Sequence, residues 1–202
     1  MLASYMSTID RQLFRDTLLA EFRSAWHTLR QAHPTEHFYS FGLYTAPCAE
    51  YLVVTASTEE GLAAVTEKYL ANKGGDPILT RASLRWSPCD SPIHEEGESL
   101  LPKSERLRTS GPDPYEGTAE AEEAIALVLE ATVEVLKQLD NENTFGNDLE
   151  RSKLVLGIWM GDQSDEDRVE FVSLLNPPSI VRRFSSELDE GYDAFTQLSP
   201  YK

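Results

Sequence analysis

The sequence predicts an α+β domain in which helices pack on one face of a mainly antiparallel sheet. Amphipathic helical segments open and close the chain, and strand-like segments arrive in adjacent pairs, which favours antiparallel pairing. Apolar residues make up 41% of the 202 residues, enough for a core in a single domain spanning 1–202. A three-layer α/β fold is the alternative.

The first predicted elements are a long helix and a β-hairpin. Residues 8–31 repeat apolar side chains at helical spacing, and Pro34 ends the helix. Aromatic and β-branched residues dominate 37–45 and 51–57, so these segments are predicted to pair as strands. Tyr39 is expected to share a face with the odd-numbered apolar residues that follow it.

A second helix and a third strand are predicted next. Ser57, with Glu60 three residues later, forms a capping-box pattern, so a helix is expected to begin here and to end at Gly74. Residues 78–86 then alternate between apolar and polar side chains. This pattern predicts a strand that directs Trp86 into the core.

The remaining elements follow a predicted long loop at about 87–117, which contains five prolines and shows no periodicity. Thr118 then caps a helix that continues to about Leu139. Residues 153–161 and 168–175 predict a second strand pair around an acidic turn. A pair of prolines shortly afterwards begins a last helix.

The charge balance narrows the classes of partner. The formal net charge is −16, from 34 acidic and 18 basic residues, so the chain repels nucleic acid and anionic membranes and admits a basic protein partner. No apolar stretch has the length of a membrane helix, and no secretory signal is recognisable. Two cysteines without a CxxC pattern fit a reduced, cytoplasmic setting.

Sequence patterns for phosphate binding, catalysis or metal binding do not emerge. The chain lacks GxxxxGK[ST], GxGxxG and GxSxG, so no cofactor and no catalytic residue is predicted. His33 and His37 have HxxxH spacing, but Pro34 between them prevents a shared helical face. The acidic turn around Asp162 and Asp165 lacks the spacing of a calcium loop. No metal site is therefore predicted.

Reactive side chains concentrate after the third predicted strand. Cys89, Asp90 and His94 could form a thiol nucleophile with its base, although a half-buried cysteine beside a surface histidine is the favoured interpretation. Arg85 either pairs with a carboxylate such as Asp90 or presents its planar donor fork to a ligand. Arg85, Asp90 and His94 are the candidate binding residues of this region.

The helix that begins at Thr118 is the candidate surface for a basic partner. Residues 118–151 carry nine acidic and two basic side chains. Glu123, Glu130 and Glu134 lie opposite the apolar stripe of this helix, where like charges four residues apart repel each other. A solvated helix face is the alternative interpretation.

Four stretches of the chain, FYSFGLYT, TASTEEGL, LRWSPCD and GDQSDEDRVEFVSLLNPPSIVRRF, resemble a family of small bacterial proteins catalogued as domain of unknown function 4303. The hallmark of that family is an Arg-Trp-Ser-Pro segment, matched by residues 85–88 and followed by Asp90. Ser91 stands where the family often has an aromatic residue. The resemblance covers about 8–190 and implies no particular activity.

Two functional classes remain open at this point. The first is a cytoplasmic interaction module for a basic partner, such as an immunity or accessory protein, an analogy with other small acidic bacterial families. The second is a small-molecule binder or enzyme with a site beneath the 87–117 loop. A cleft that brings together Arg85, Asp90 and His94 would favour the second class, and a flat acidic face would favour the first.

Overall fold

The computed structural model describes residues 9–198, which form three strands and nine α-helices. The strands are β1 (Phe38–Thr45), β2 (Val53–Thr58) and β3 (Val155–Met160). The helices are α1 (Arg11–Ala32), α2 (Glu59–Lys73), α3 (Pro77–Leu84), α4 (Ile93–Gly97), α5 (Pro102–Thr109), α6 (Ala119–Asn141), α7 (Asp148–Lys153), α8 (Asp165–Leu175) and α9 (Pro178–Leu198). The predicted helix start at residue 8 lies outside the described residues. None of the described helices combines the length and apolar composition needed to cross a membrane.

The strands form one mixed sheet in the order β2–β1–β3. β1 and β2 are antiparallel, whereas β1 and β3 are parallel, with Gly42 opposite Gly157. A Cβ atom on Gly42 would lie 1.9 Å from the carbonyl oxygen of Gly157, so this close approach requires glycine. The α+β class is confirmed, but the prediction of a mainly antiparallel sheet is corrected to a mixed one.

Helices cover both faces of the sheet, so the expected arrangement on one face is wrong. Leu156 and Ile158 of β3 join a first core with α1 and α6, whereas Val155 and Trp159 join a second core with α2, α3 and α9. Side chains alternate along a strand, and β3 therefore contributes to both cores. Its neighbour α8 packs along it and places Val172 in the second core.

Tyr39 does not share a face with the apolar residues that follow it in β1. The register of the β1–β2 pair shifts between Phe38 and Ser40, which marks a bulge. As a result Tyr39 lies in the second core, whereas Phe41 and Leu43 lie in the first.

The predicted long helices and the hairpin are confirmed. α1, α2, α6 and α9 lie where helical periodicity or capping patterns place them, and β1 and β2 form the hairpin. The cap of α2 is Thr58 rather than Ser57, since the Thr58 side chain accepts the hydrogen bond from the amide of Gly61.

The predicted strand at 78–86 is wrong, because these residues belong mostly to α3. The side chain of Asp76 accepts hydrogen bonds from the amides of Ile78 and Leu79, and Pro77 occupies the first helical position. Trp86 lies just after this helix and is 8% exposed, so its predicted place in the core is confirmed.

The predicted strand at 168–175 is also wrong and forms α8. The Ser164 hydroxyl accepts a hydrogen bond from the amide of Asp167 and donates one to its carboxylate. The acidic residues of the expected turn thus belong to the first turn of a helix, where carboxylates are stabilising. Without this strand the second hairpin does not exist, and β3 pairs parallel to β1 instead.

The segment predicted as a loop at 87–117 contains two helices, α4 and α5, and a short 3-10 turn. Leu101 is 1% exposed and anchors this segment to the core, whereas Tyr115 is 68% exposed. A Cβ atom on Gly97 would lie 1.7 Å from the carbonyl oxygen of Val54, so α4 lies directly against β2.

Candidate functional site

A cleft of about 420 Å³ opens at the sheet edge where β1 and β3 end. These strands are parallel, so their carboxyl ends lie at the same edge, the usual position of ligand sites in open parallel sheets. We call it the carboxyl-edge cleft. Its lining comes from Tyr44 of β1, the Trp86–Cys89 segment, the Met160–Asp162 turn, Arg168 of α8 and one face of α9.

The inner wall of the cleft is formed by Trp86. Its ring contacts Tyr39 and Phe184 edge-on, with centroid distances of 5.3 and 4.8 Å, and lies 6.3 Å from Trp159. The indole Nε1 atoms of Trp86 and Trp159 are buried and have no hydrogen-bond partner in the described part of the chain. Buried donors usually have partners, so these two indole groups are exceptions in the second core.

The outer wall of the cleft is formed by α9. Its apolar stripe begins with Ile180, Phe184 and Leu188, all buried in the second core, and continues with Tyr192 and Phe195. These last two side chains line the cleft but are 64% and 66% exposed. The helix therefore extends an aromatic surface beyond the part that the rest of the chain covers.

The rim of the cleft is strongly acidic. Asp162 and Asp165 line it, and Asp165 is 3.9 Å from Arg168. The segments 162–168 and 189–193 together carry seven carboxylates and one basic side chain, that of Arg168, which also lines the cleft. This rim favours a positively charged ligand.

A further wall joins Tyr44 to the segment that follows Trp86. The neighbouring Cys89 thiol and burial raise the pKa of the Tyr44 hydroxyl, which is therefore neutral at physiological pH. The His94 ring meets the Tyr44 ring edge-on at 4.9 Å, and its Nδ1 lies 3.4 Å from the hydroxyl oxygen of Thr55. Burial lowers the pKa of His94. The imidazole that packs against Tyr44 is therefore uncharged at physiological pH.

Arg85 is held within the chain by carboxylates, but not by Asp90. Its guanidinium donates two hydrogen bonds to Glu59, at 2.8 and 3.1 Å, and one to Glu187 at 2.9 Å. The group also lies 4.3 Å from the centroid of the Tyr39 ring, whose hydroxyl donates to the Arg85 carbonyl oxygen at 2.6 Å. Arg85 thus links α2, α9 and β1 to the backbone just before Trp86.

The charges around Arg85 set the protonation of its neighbours. Burial opposes the ionisation of Glu59, but hydrogen bonds and charges from Arg85 and Arg81 outweigh burial, so the pKa of Glu59 is lowered. Burial raises the pKa of Tyr39 to about 12. Glu59 is therefore an anion and Tyr39 a neutral donor at physiological pH.

The three candidate residues of the 85–94 region are not brought into one site. Asp90 accepts hydrogen bonds from Tyr69 and Ser87, at 2.7 and 2.6 Å, and so closes the turn after Trp86. Arg85 faces Glu59 and Glu187, and His94 packs on Tyr44. All three support the walls of the carboxyl-edge cleft without lining it.

The predicted acidic face of α6 is shared with α1. Arg11 donates to both Glu130 and Glu134 at 2.9 Å, and Arg15 lies 3.3 Å from Glu134. Later arginines of α1 pair with later glutamates of α6, so the two helices run side by side in the same direction. Glu123, nearer the start of α6, is exposed. The structure therefore brings Glu130 and Glu134 to internal partners and leaves Glu123 apart from them.

The histidines with HxxxH spacing also have separate partners. His33 lies between Glu36 and Glu96, with ring nitrogens 2.9 and 3.0 Å from their carboxylates, and His37 contacts Glu60. Within residues 9–198, no group of three or more histidine, cysteine or acidic side chains is arranged to hold a metal ion.

Sequence reasoning missed the residues that line the cleft. Tyr44, Asp165 and Tyr192 lie far apart in the chain and meet only because β3 pairs parallel to β1. One signal was available: the apolar stripe of the last helix continues past Leu188 through Tyr192 and Phe195.

The fold and the cleft define an α+β protein whose mixed sheet presents an aromatic, acid-rimmed cleft at the carboxyl ends of its parallel strand pair. A family model described as a domain of unknown function (DUF4303) matches residues 18–177, and the chain belongs to this family. No curated protein and no solved structure matches the chain. The matched residues include Tyr44, Trp86 and Asp165 and end before α9.

Proposed function

We propose that this protein is a binding module that takes a segment of a basic partner protein into the carboxyl-edge cleft. The observation that carries the proposal is the exposure of Tyr192 and Phe195 on the apolar stripe of α9. Aromatic side chains are enriched at protein interfaces because they bury a large area with few rotatable bonds. The acidic rim and the net charge of −16 favour a partner of opposite charge.

A small molecule is the second candidate ligand, since a cleft of about 420 Å³ lies within the usual range for such sites. A small molecule that fills the cleft would leave much of Tyr192 and Phe195 in water, because both are more than 60% exposed at its outer wall. A larger partner would cover both rings. The exposed aromatic wall therefore favours a protein segment.

The test compares two double variants that remove exposed apolar side chains from different surfaces. Tyr192→Ser with Phe195→Ser removes the outer wall of the cleft, whereas Leu13→Ser with Leu149→Ser removes two apolar side chains that are 53% and 68% exposed and do not line the cleft. The probe is a fluorescent basic peptide containing arginine and lysine, followed by anisotropy. Thermal unfolding checks that both variants fold.

We expect the cleft variant to bind the peptide about tenfold more weakly than the unmodified protein, and the control variant to bind it equally well. Added salt should weaken binding to the unmodified protein. Equal affinities for all three proteins, or no binding by any of them, would overturn the proposal. Sedimentation of the unmodified protein identifies another occupant: a dimer that only the cleft variant dissociates would assign the aromatic wall to a second copy of the chain.

A further inference from the structure

The aromatic groups of the carboxyl-edge cleft are arranged around one space. Tyr44 and Trp86 line its inner side, and Tyr192 and Phe195 line its outer side. The faces of aromatic rings carry partial negative charge and attract cations that approach within about 6 Å of the ring centre. A cleft lined by several aromatic rings suits an organic cation with an apolar stem.

The carboxylates of the cleft lie beside those rings. Asp162 and Asp165 line the same space, and both side chains are exposed at its rim. A cation between the rings could therefore reach a carboxylate without the burial of an unpaired charge.

We infer that the cleft binds the guanidinium group of an arginine side chain from the basic partner, an inference that rests on the proposed function. A guanidinium is planar, stacks on aromatic faces and forms paired hydrogen bonds with a carboxylate. The ammonium group of lysine is a compact and strongly hydrated charge, and it fits stacked rings less well. The rings of the cleft thus favour arginine, and its aspartates favour a cation of either kind.

The chain already places one guanidinium at this site. Arg168 lines the cleft, and its Nη1 lies 3.9 Å from the Asp165 carboxylate, too far for a hydrogen bond. An arginine from the partner would therefore compete with Arg168 for Asp165. Arg168 is the internal competitor that the ligand displaces.

The first experiment compares three peptides that differ at one position, which holds arginine, lysine or citrulline, with a neutral sequence elsewhere. Citrulline keeps the shape of arginine without its charge. We expect the arginine peptide to bind about tenfold more tightly than the citrulline peptide, with lysine between them. Equal binding of arginine and citrulline would overturn the inference while leaving cleft binding intact. Equal binding of arginine and lysine would overturn the choice of guanidinium.

The failure of the proposed function gives a different result. If neither these peptides nor the basic peptide described above binds, the cleft is not a binding site for basic segments, and the proposal and the inference fall together. If only the basic peptide binds, and Asp162→Asn with Asp165→Asn leaves its affinity unchanged, binding occurs without a cation in the cleft and the inference alone is overturned.

The second experiment tests the competition by Arg168. Arg168→Gln should bind the arginine peptide several times more tightly than the unmodified protein, because the change removes a like charge from the cleft and ends the 3.9 Å ion pair with Asp165. Arg106→Gln on α5 is the matched control: it removes the same charge from an exposed side chain that does not line the cleft. An equal gain in both variants would show a general effect of net charge and would overturn the role of Arg168.

Discussion

The two cores on opposite faces of the sheet are built differently. In the first core, α1 and α6 bury aliphatic and aromatic residues, and exposed ion pairs such as Arg11 with Glu130 and Arg23 with Glu142 join them at the surface. Four of the ten buried residues of the second core are aromatic, and two of these, Trp86 and Trp159, have buried Nε1 donors that lack partners in the described chain.

The difference bears on where a partner could bind. Long amphipathic helices cover the first core, and ion pairs join them at the surface. The second core opens into a cleft, leaves Tyr192 and Phe195 exposed and has Asp162 and Asp165 in the same lining. Features that cost stability in a folded chain are usually retained for binding. We therefore place the function of this protein on the second face.

The largest expected effect comes from the removal of Trp86. Its ring is 8% exposed and packs on three other aromatic rings, so Trp86→Ala should lower the free energy of unfolding by about 3–5 kcal/mol. Trp26→Ala is the matched change in the first core, where the ring is 6% exposed, and should cost a similar amount. Urea unfolding measures both. An unchanged midpoint for Trp86→Ala would mean that the ring is not packed.

A smaller effect is expected at Arg85. Arg85→Gln leaves Glu59 and Glu187 without their shared cation and should cost about 2–3 kcal/mol at neutral pH. Arg81→Gln removes a pair that is 38% exposed on both sides and should cost less than 1 kcal/mol. Equal losses of unfolding free energy in the two variants would contradict the structural role assigned to Arg85.

The pH dependence of stability sharpens the prediction for Arg85. The pKa of Glu59 is lowered in the folded protein, below its ordinary value of 4.5. Its stabilising contribution is thus complete above that value and is lost as the pH falls through the lower, folded pKa. In Arg85→Gln the unfolding free energy should fall less on acidification, because the folded pKa of Glu59 returns towards its ordinary value. An acid titration of the unfolding free energy that is parallel for both proteins would contradict this.

The smallest effect is expected at the surface of the first face. Glu130→Gln with Glu134→Gln removes exposed ion pairs with Arg11 and Arg15, so the loss in unfolding free energy should be smaller than that of Arg81→Gln. High salt should abolish the difference. Peptide binding in the cleft should not change. Loss of peptide binding in this variant would move the function to the first face.

The sequence predicted those parts of the fold whose local signals are strong. α1, α6 and α9 have long apolar stripes, and β1 and β2 are rich in aromatic and β-branched residues. The segments that were wrongly predicted as strands are short. In α3 and α8 the apolar residues fit either period, and the decisive signals were the caps Asp76 and Ser164, which lie before each segment.

The candidate site was less predictable because its residues meet through tertiary pairing. The cleft needs β3 beside β1 in parallel, and the sequence pattern favoured an antiparallel neighbour that does not form. Arg85, Asp90 and His94 were chosen for their chemistry, and the structure places them in the supports of the cleft. The neighbouring Trp86 and Cys89 line the cleft.

The central claim, that the cleft of the second face is the binding site, is tested most directly by nuclear magnetic resonance of the indole N–H groups. The chain has tryptophans in both cores: Trp26 in the first, and Trp86 and Trp159 in the second. During titration with the arginine peptide, we predict that the Trp86 signal shifts progressively to saturation while the Trp26 signal stays in place. A Trp86 signal that does not move at saturating peptide, or an equal shift of Trp26, would contradict the account.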